Sequence, residues 1–232
     1  MFSLRTRKKI AAEAFAALDA AYPGIQPSLN FSSAWELLVG GILGAQTTDV
    51  RVNAITAVMF REMPEIRDYA VADILTIEGY IKTAGLYHNK AKALKGAAEM
   101  IISHFGGEVP RSLTELTQLP GVGRKVANLV MGDFYGIPGM VVDTHNGRIS
   151  KLLGLTDSEN PTIVERHLCE AIPPEHWVQW GHLMVEHGRA ICRARCRSCA
   201  MCPARSACVF AKKHRAAISR ALNSNPAGCI AE

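Results

Sequence analysis

Apolar residues recur at three- and four-residue intervals along nearly the whole chain, and stretches of strictly alternating apolar and polar residues are missing. That spacing belongs to helices packed on one face, so the sequence predicts an all-α fold. Local start and stop signals bound several of the helices. Ser33-Ala34-Trp35-Glu36 reads as a capping box opening a helix through about Leu43, and Ser112-Leu113-Thr114-Glu115 opens a short one in the same way. Asn160-Pro161 supplies an N-cap and a first-turn proline to a helix carrying Ile163, Val164 and Leu168. The segment from Tyr87 to Phe105 stops at Gly106-Gly107, and another helix is expected from about Pro174 to Ile191. Trp35, Trp177 and Trp180 sit among apolar residues at helical spacing and read as core, and His182 and His187 read as structural. No spacer marks a domain boundary, and the residues from about Ala216 read as a loosely held tail.

Composition narrows the class. A chain of 232 residues with 48% hydrophobic and 20% charged residues has the profile of a folded protein, with room for one sizeable domain or two small ones. The formal charge of +5 is a mild excess, but its distribution is uneven. From His187 to Ala231 there is no acidic residue, whereas Arg189, Arg193, Arg195, Arg197, Arg205, Lys212, Lys213, Arg215 and Arg220 are basic. The basic N-terminus leads into a helical pattern with Glu13 and Asp19 rather than into a signal-peptide apolar region, and no apolar run is long enough to span a membrane. A soluble, cytoplasmic protein is expected. Five of the seven cysteines fall between Cys192 and Cys208, and in a reducing compartment such a group points to metal rather than to disulfides.

Three stretches carry candidate chemistry. Leu116 to Ala127 (LTQLPGVGRKVA) reads as helix, tight hairpin, helix. Gly121 and Gly123 let the turn adopt backbone angles closed to other residues, and the start of the second helix exposes N–H groups suited to phosphate oxygens. A plain αα-hairpin without a ligand has the same glycines, and if the hairpin only binds nucleic acid Lys125 is a plain phosphate contact. Val141-Val142-Asp143-Thr144-His145 follows, with Asp143 either an N-cap for a helix from Thr144 to Leu153 or an acid in a site, or both. Cys192, Cys199, Cys202 and Cys208 form the spacing C-x6-C-x2-C-x5-C, with Cys196 as an extra cysteine inside it. Four thiolates suit an iron–sulfur cluster, and spacing alone leaves zinc open. Cys169 falls in an apolar stripe, and Cys229 falls in the tail.

Together these motifs resemble the endonuclease III family of helix–hairpin–helix DNA glycosylases, over most of the chain from about residue 10 to Cys208. The resemblance implies two helical modules flanking a DNA-binding cleft: a six-helix barrel over 27–137, and an iron–sulfur module of 1–26 plus 138–215, with 216–232 as the tail. It implies a bifunctional DNA glycosylase and abasic-site lyase acting on oxidised pyrimidines in duplex DNA as a monomer. Lys125 would attack C1′ of the sugar and form a Schiff base, with Asp143 facing it to support the developing positive charge. Gln46 and Leu86 match residues that fill the duplex when a nucleotide is flipped out, and Gly121, Val122, Gly123, Arg124 and His145 are expected near the DNA. Cys192, Cys199, Cys202 and Cys208 would bind a structural [4Fe–4S] cluster, folding a loop whose arginines then face phosphate.

Some positions depart from the family pattern. Val126 stands where a threonine is expected after the lysine, Asn146 where an apolar residue is usual, Asp133 puts a charge in a usually neutral helix, and Gly44 replaces a common serine. No catalytic group is lost, yet a weakly active or non-catalytic DNA-binding paralogue stays open. An adenine glycosylase is the nearest rival enzyme. Lys125 argues against it, as does the little room left for a further C-terminal domain.

Overall fold

The computed structural model describes residues 1–224 and 229–230. Among them are α1 (Leu4–Ala21), α2 (Ala34–Leu43), α3 (Asp49–Glu62), α4 (Ile66–Val71), α5 (Ile74–Ile81), α6 (Tyr87–His104), α7 (Leu113–Leu116), α8 (Arg124–Asp133), α9 (Thr144–Leu153), α10 (Pro161–Ala171), α11 (Trp177–Ala190), α12 (Val209–Lys213) and α13 (Arg215–Ser224). No β-strand occurs among the described residues, only isolated bridges at Arg197. The fold is all-α. Two compact units divide the chain: Pro27–Gly139, and Met1–Gln26 with Met140–Glu232.

In the unit Pro27–Gly139, α2 is apolar on every side and central, with Leu37, Leu38, Val39 and Leu43 fully buried. Helices α3, α6 and α8 pack on it. A Cβ at Gly41 would stand 2.7 Å from Cγ1 of Val126, so the small residue sets how closely α2 and α8 approach. Ser33 caps α2, accepting from the Glu36 amide at 3.1 Å, but the expected return bond differs. The Glu36 carboxylate accepts from the N–H and hydroxyl of Ser32, one residue earlier than a capping box requires. Ser112 caps α7 as expected, through the Glu115 amide.

In the other unit, α1 presents Ile10, Ala11, Ala14 and Leu18 at helical spacing to α10, α11 and a 3-10 turn over Pro203–Ser206. Asn160 caps α10 through the amides of Thr162 and Ile163. The helix expected from Pro174 begins as a 3-10 turn over Pro174–His176 and becomes α-helical at Trp177. Trp35 and Trp180 are buried, each in its own unit, and Trp177 packs at the edge of the core.

The C-terminal reading needs correction. The residues from Ala216, expected as a loose tail, are helical through Ser224, and Ile218 is buried in a small cluster with Phe210, Ala211 and Ile230. A short stripe of Ala217, Ile218 and Ala221 provides the packing face. Cys196, expected as an extra ligand candidate, is joined to Cys229 in a disulfide. The amide of Ile230 donates to Arg197 O at 2.9 Å, which returns the chain end to the cysteine loop and brings together two residues 33 apart.

Candidate active site

The hairpin between α7 and α8 is held from below. Gly121 has φ 77°, and a Cβ there would lie 2.6 Å from Cβ of Ala93, so both the backbone angle and the space require glycine. Val122 is buried in the core and its amide donates to Leu119 O, which confines any contact it makes to a ligand to its backbone. Gly121, Gly123, Arg124 and Lys125 are exposed. Gly123 is the N-cap of α8 and contributes no capping side chain, so the first turn of α8 presents amides, the positive end of the helix dipole and Lys125 at one exposed place.

Two other loops of the same unit share one property. Gln46, at φ 54°, and Leu86, at φ 60°, are the non-glycine residues with left-handed backbones among those described. Each conformation costs of order 1–3 kcal/mol, and such strain persists only where surroundings hold it. Both side chains are exposed, and an apolar leucine 55% exposed at the N-cap of α6 is not serving the core. Thr48 caps α3, and Asp49 accepts from the Ser28 hydroxyl at 2.6 Å.

Asp143 lies in the other unit and is the N-cap of α9, its Oδ1 accepting from the Asn146 amide at 2.7 Å. The cap uses one carboxylate oxygen. Asn146 is fully buried: its Nδ2 donates to Val141 O at 2.6 Å and lies 3.8 Å from Met140 Sδ, while its Oδ1 accepts from Trp180 Nε1 at 3.0 Å and Ser150 Oγ at 2.9 Å. The departure noted at this position is therefore a polar hub that ties the segment before Asp143 to α9 and α11. His145 is half-buried, with its ring packed where Gly188 of α11 leaves no side chain.

Cys192, Cys199, Cys202 and Cys208 line one pocket, together with His187, Arg197 and Phe210. Burial pushes all four thiols up, Cys192 to about 11 and Cys202 to about 12. Four such sulfurs become thiolates only with a cationic partner. Among the described residues no three His, Cys, Asp or Glu side chains converge as tightly as a single ion needs. His187, with its pKa lowered to about 4 by burial and next by Arg148, bridges Tyr22 Oη at 3.0 Å and Cys202 Sγ at 3.5 Å. The arginines expected to face phosphate divide differently. Arg197 is buried with its guanidinium 5.2 Å from the centre of the Phe210 ring, and Arg205 donates to Ala200 O. Burial beside Cys192 and Cys199 explains the placement of Arg197: a cation there offsets thiolate charge.

Two residues with structural leverage on these loops were not singled out in the sequence as site residues: Asn146 and Lys90. Lys90 is the lone charge in the apolar stripe of α6 that includes Leu94, Ala97 and Ile101, and that interruption was a readable signal.

The fold and these loops define the class. A family model described as the HhH-GPD superfamily base excision DNA repair protein matches residues 39–174, and the chain belongs to that superfamily. It is 40% identical over 210 residues to endonuclease III of Synechocystis sp., covering 90% of this chain and 96% of that one, and 40% identical over 188 residues to endonuclease III of Bacillus subtilis, covering 81% and 86%. A solved structure of a trapped endonuclease III–DNA covalent intermediate superposes with a TM-score of 0.86 at 35% identity, over 93% of this chain and all of that one. Within the superfamily the protein is a member of the endonuclease III family, a base-excision-repair DNA glycosylase and abasic-site lyase. No helix among the described residues is long and apolar enough to cross a membrane.

Proposed function

We propose that this enzyme removes oxidised pyrimidines from damaged duplex DNA, acting as a monomer, with Lys125 as nucleophile and Asp143 as the carboxylate that supports the reacting sugar. The observation that carries the reading is an exposed lysine in the first turn of α8, directly after a glycine hairpin, in a chain similar to a protein captured as a covalent intermediate with DNA. The amides of Gly121, Gly123 and Arg124 hold phosphate oxygens without reading sequence. Gln46 and Leu86 fill the stack that the flipped nucleotide leaves, and His145 supports the strand near Asp143.

In the first step the Lys125 amine forms a bond to C1′ as the bond from C1′ to the base breaks, its electrons leaving with the base. Asp143 stabilises the positive charge that develops on the sugar and carries protons. Ring opening gives a protonated Schiff base. Loss of a C2′ proton then expels the 3′ phosphate by β-elimination.

The pocket of Cys192, Cys199, Cys202 and Cys208 fits a [4Fe–4S] cluster. Its donor set is four thiols lining one pocket, Cys199 buried and the others half-buried, with Arg197 in the same lining and Arg148 beside Cys192. When bound, the cluster would supply cross-linking of the loop, not chemistry on DNA.

Borohydride trapping on duplex DNA with an oxidised pyrimidine or an abasic site tests the reading, with Lys125→Gln and Asp143→Asn alongside the wild type. The wild type gives a covalent adduct, Lys125→Gln gives none, and Asp143→Asn gives it slowly. No adduct and no base release from an intact wild-type enzyme that binds DNA would leave a non-catalytic paralogue. Base release without any adduct would point to an adenine-glycosylase-like mechanism.

A further inference from the structure

On α6, Lys90 shares its face with buried Ala91, Leu94, Ala97, Ala98 and Ile101, and is itself only 5% exposed. A buried ammonium is tolerated only when its three donors are met. Here Nζ donates to Leu43 O at 2.7 Å, Ala45 O at 2.6 Å and Thr47 Oγ1 at 2.9 Å. Leu43 is the last residue of α2, so the cation also sits at the negative end of that helix. Ala45 and Thr47 are the residues on either side of Gln46.

The same lysine belongs to the turn that starts at Leu86. Its amide and that of Asn89 both donate to Leu86 O at 3.1 Å. The two turns also touch directly, since a Cβ on Gly85 would lie 3.2 Å from Gln46 O. Lys90 therefore grips the Gln46 turn with its side chain while its backbone closes the turn that displays Leu86. Both displayed residues have left-handed backbones that relax unless something holds them.

We propose that Lys90 is a positioning residue that locks the Gln46 and Leu86 turns together, so that both fillers meet the duplex as one preset unit. The inference rests on the reading of Gln46 and Leu86 as duplex fillers. Neither Lys125 nor the hairpin depends on the three bonds from Nζ. A methionine at 90 would fill the same space but leave Leu43 O and Ala45 O without that donor, and the Gln46 turn would lose its outer constraint.

The test uses the full-length, cluster-containing enzyme as wild type, Lys90→Met, Lys90→Arg and Thr47→Val. Single-turnover cleavage of duplex DNA carrying an oxidised pyrimidine is compared with cleavage of a single-stranded oligonucleotide carrying an abasic site, where no stacked void must be filled. A 2-aminopurine next to the lesion reports unstacking. Lys90→Met should slow the duplex reaction about tenfold to a hundredfold, the range that misplacement by about an ångström causes, and diminish the 2-aminopurine signal. Single-strand cleavage should fall far less, and Lys90→Arg should restore part of the duplex rate. Equal losses on both substrates, or no loss on duplex, would overturn the proposal. If Lys90→Met does not fold, Thr47→Val decides, selective slowing on duplex supporting the proposal and none overturning it. Gln46→Ala and Leu86→Ala separate the two ideas. If they leave the duplex reaction unchanged, the filler reading fails. If they slow it while Lys90→Met does not, only the role of Lys90 fails.

Discussion

Replacing Asn146 by leucine tests how the segment before Asp143 is held. The side chain is fully buried, and its Nδ2 and Oδ1 serve Val141 O, Trp180 Nε1 and Ser150 Oγ. Leucine keeps the branched outline but is larger, so the perturbation is the loss of these bonds with some overpacking and not a cavity. Ser150 escapes, because its hydroxyl can turn to the carbonyl of residue 146 one turn earlier in α9. Trp180, fully buried, has no such route, and the carbonyl of half-buried Val141 loses its Asn146 donor. One orphaned donor and one orphaned acceptor at about 1–3 kcal/mol each give about 2–6 kcal/mol. The apolar atoms of leucine return about 1–2 kcal/mol of that, leaving a net loss of about 3 kcal/mol. For a chain of this size that is a fall in Tm of about 6–12 °C. Thermal unfolding followed by circular dichroism measures it. Trp180→Phe in the same background removes the orphaned donor and should recover about 1–2 kcal/mol, so the two positions couple in a double-mutant cycle. A loss under about 1 kcal/mol, or no coupling between 146 and 180, would refute the reasoning.

Other substitutions follow from single contacts. Gly188→Ala would gain about 1 kcal/mol of helix propensity in open space, but its Cβ would stand 2.8 Å from His145 Cγ. Overpacking of about 1–3 kcal/mol wins, and both Tm and turnover should drop. Glu170 accepts from Arg7 Nη2 at 2.8 Å, a hydrogen bond that holds its carboxyl below the usual carboxylate range. A depressed folded pKa contributes stability above the unfolded value and loses it as pH falls through the folded one. Glu170→Gln should therefore be slightly less stable than wild type at neutral pH and equal to it in acid, as followed by urea unfolding across pH. Cys202→Ala should reduce bound iron and lower Tm, measured by metal analysis and calorimetry; unchanged iron would remove Cys202 from the ligand set.

How much of this was legible in the sequence depends on the range of the interaction. The caps at Ser112 and Asn160, the stop at Gly106-Gly107 and the hairpin at Gly121-Val122-Gly123 are set within a few residues, and the pattern exposes them. Asp143 was readable as an N-cap because a cap is local, whereas its partner Asn146 looked only like a departure. Its value comes from Trp180, 34 residues away. Arg197 of the cysteine loop illustrates the opposite case, while Arg193, Arg195 and Arg205 are exposed. A run of basic residues suggests a phosphate-facing surface, yet Arg197 is buried on Phe210, because a cation beside four sulfurs has its own electrostatic reason to be inside. The Cys196–Cys229 pair was equally hidden, since it depends on the chain end returning to Arg197.

Lys90, Asn146 and Arg148 share a logic. Each sends hydrogen bonds from a helix to backbone carbonyls of an irregular segment: the Gln46 turn, the approach to Asp143, and Cys192 O. Such segments have no ladder of their own, so their carbonyls need donors from elsewhere. Their common feature is that each holds a segment carrying a candidate site residue. Core leucines make the contrast. Leu94 on α6, one turn beyond Lys90 and fully buried, touches no such loop through a hydrogen bond. Leu94→Ala should cost about 2–5 kcal/mol of stability and leave turnover per folded molecule nearly unchanged at a permissive temperature. Lys90→Met, which leaves the Leu43 and Ala45 carbonyls without that donor, should also lose stability, but it should add a large loss of turnover per folded molecule on duplex substrate. If both substitutions reduced stability and turnover in the same proportion, the buried polar residues would be ordinary parts of the core.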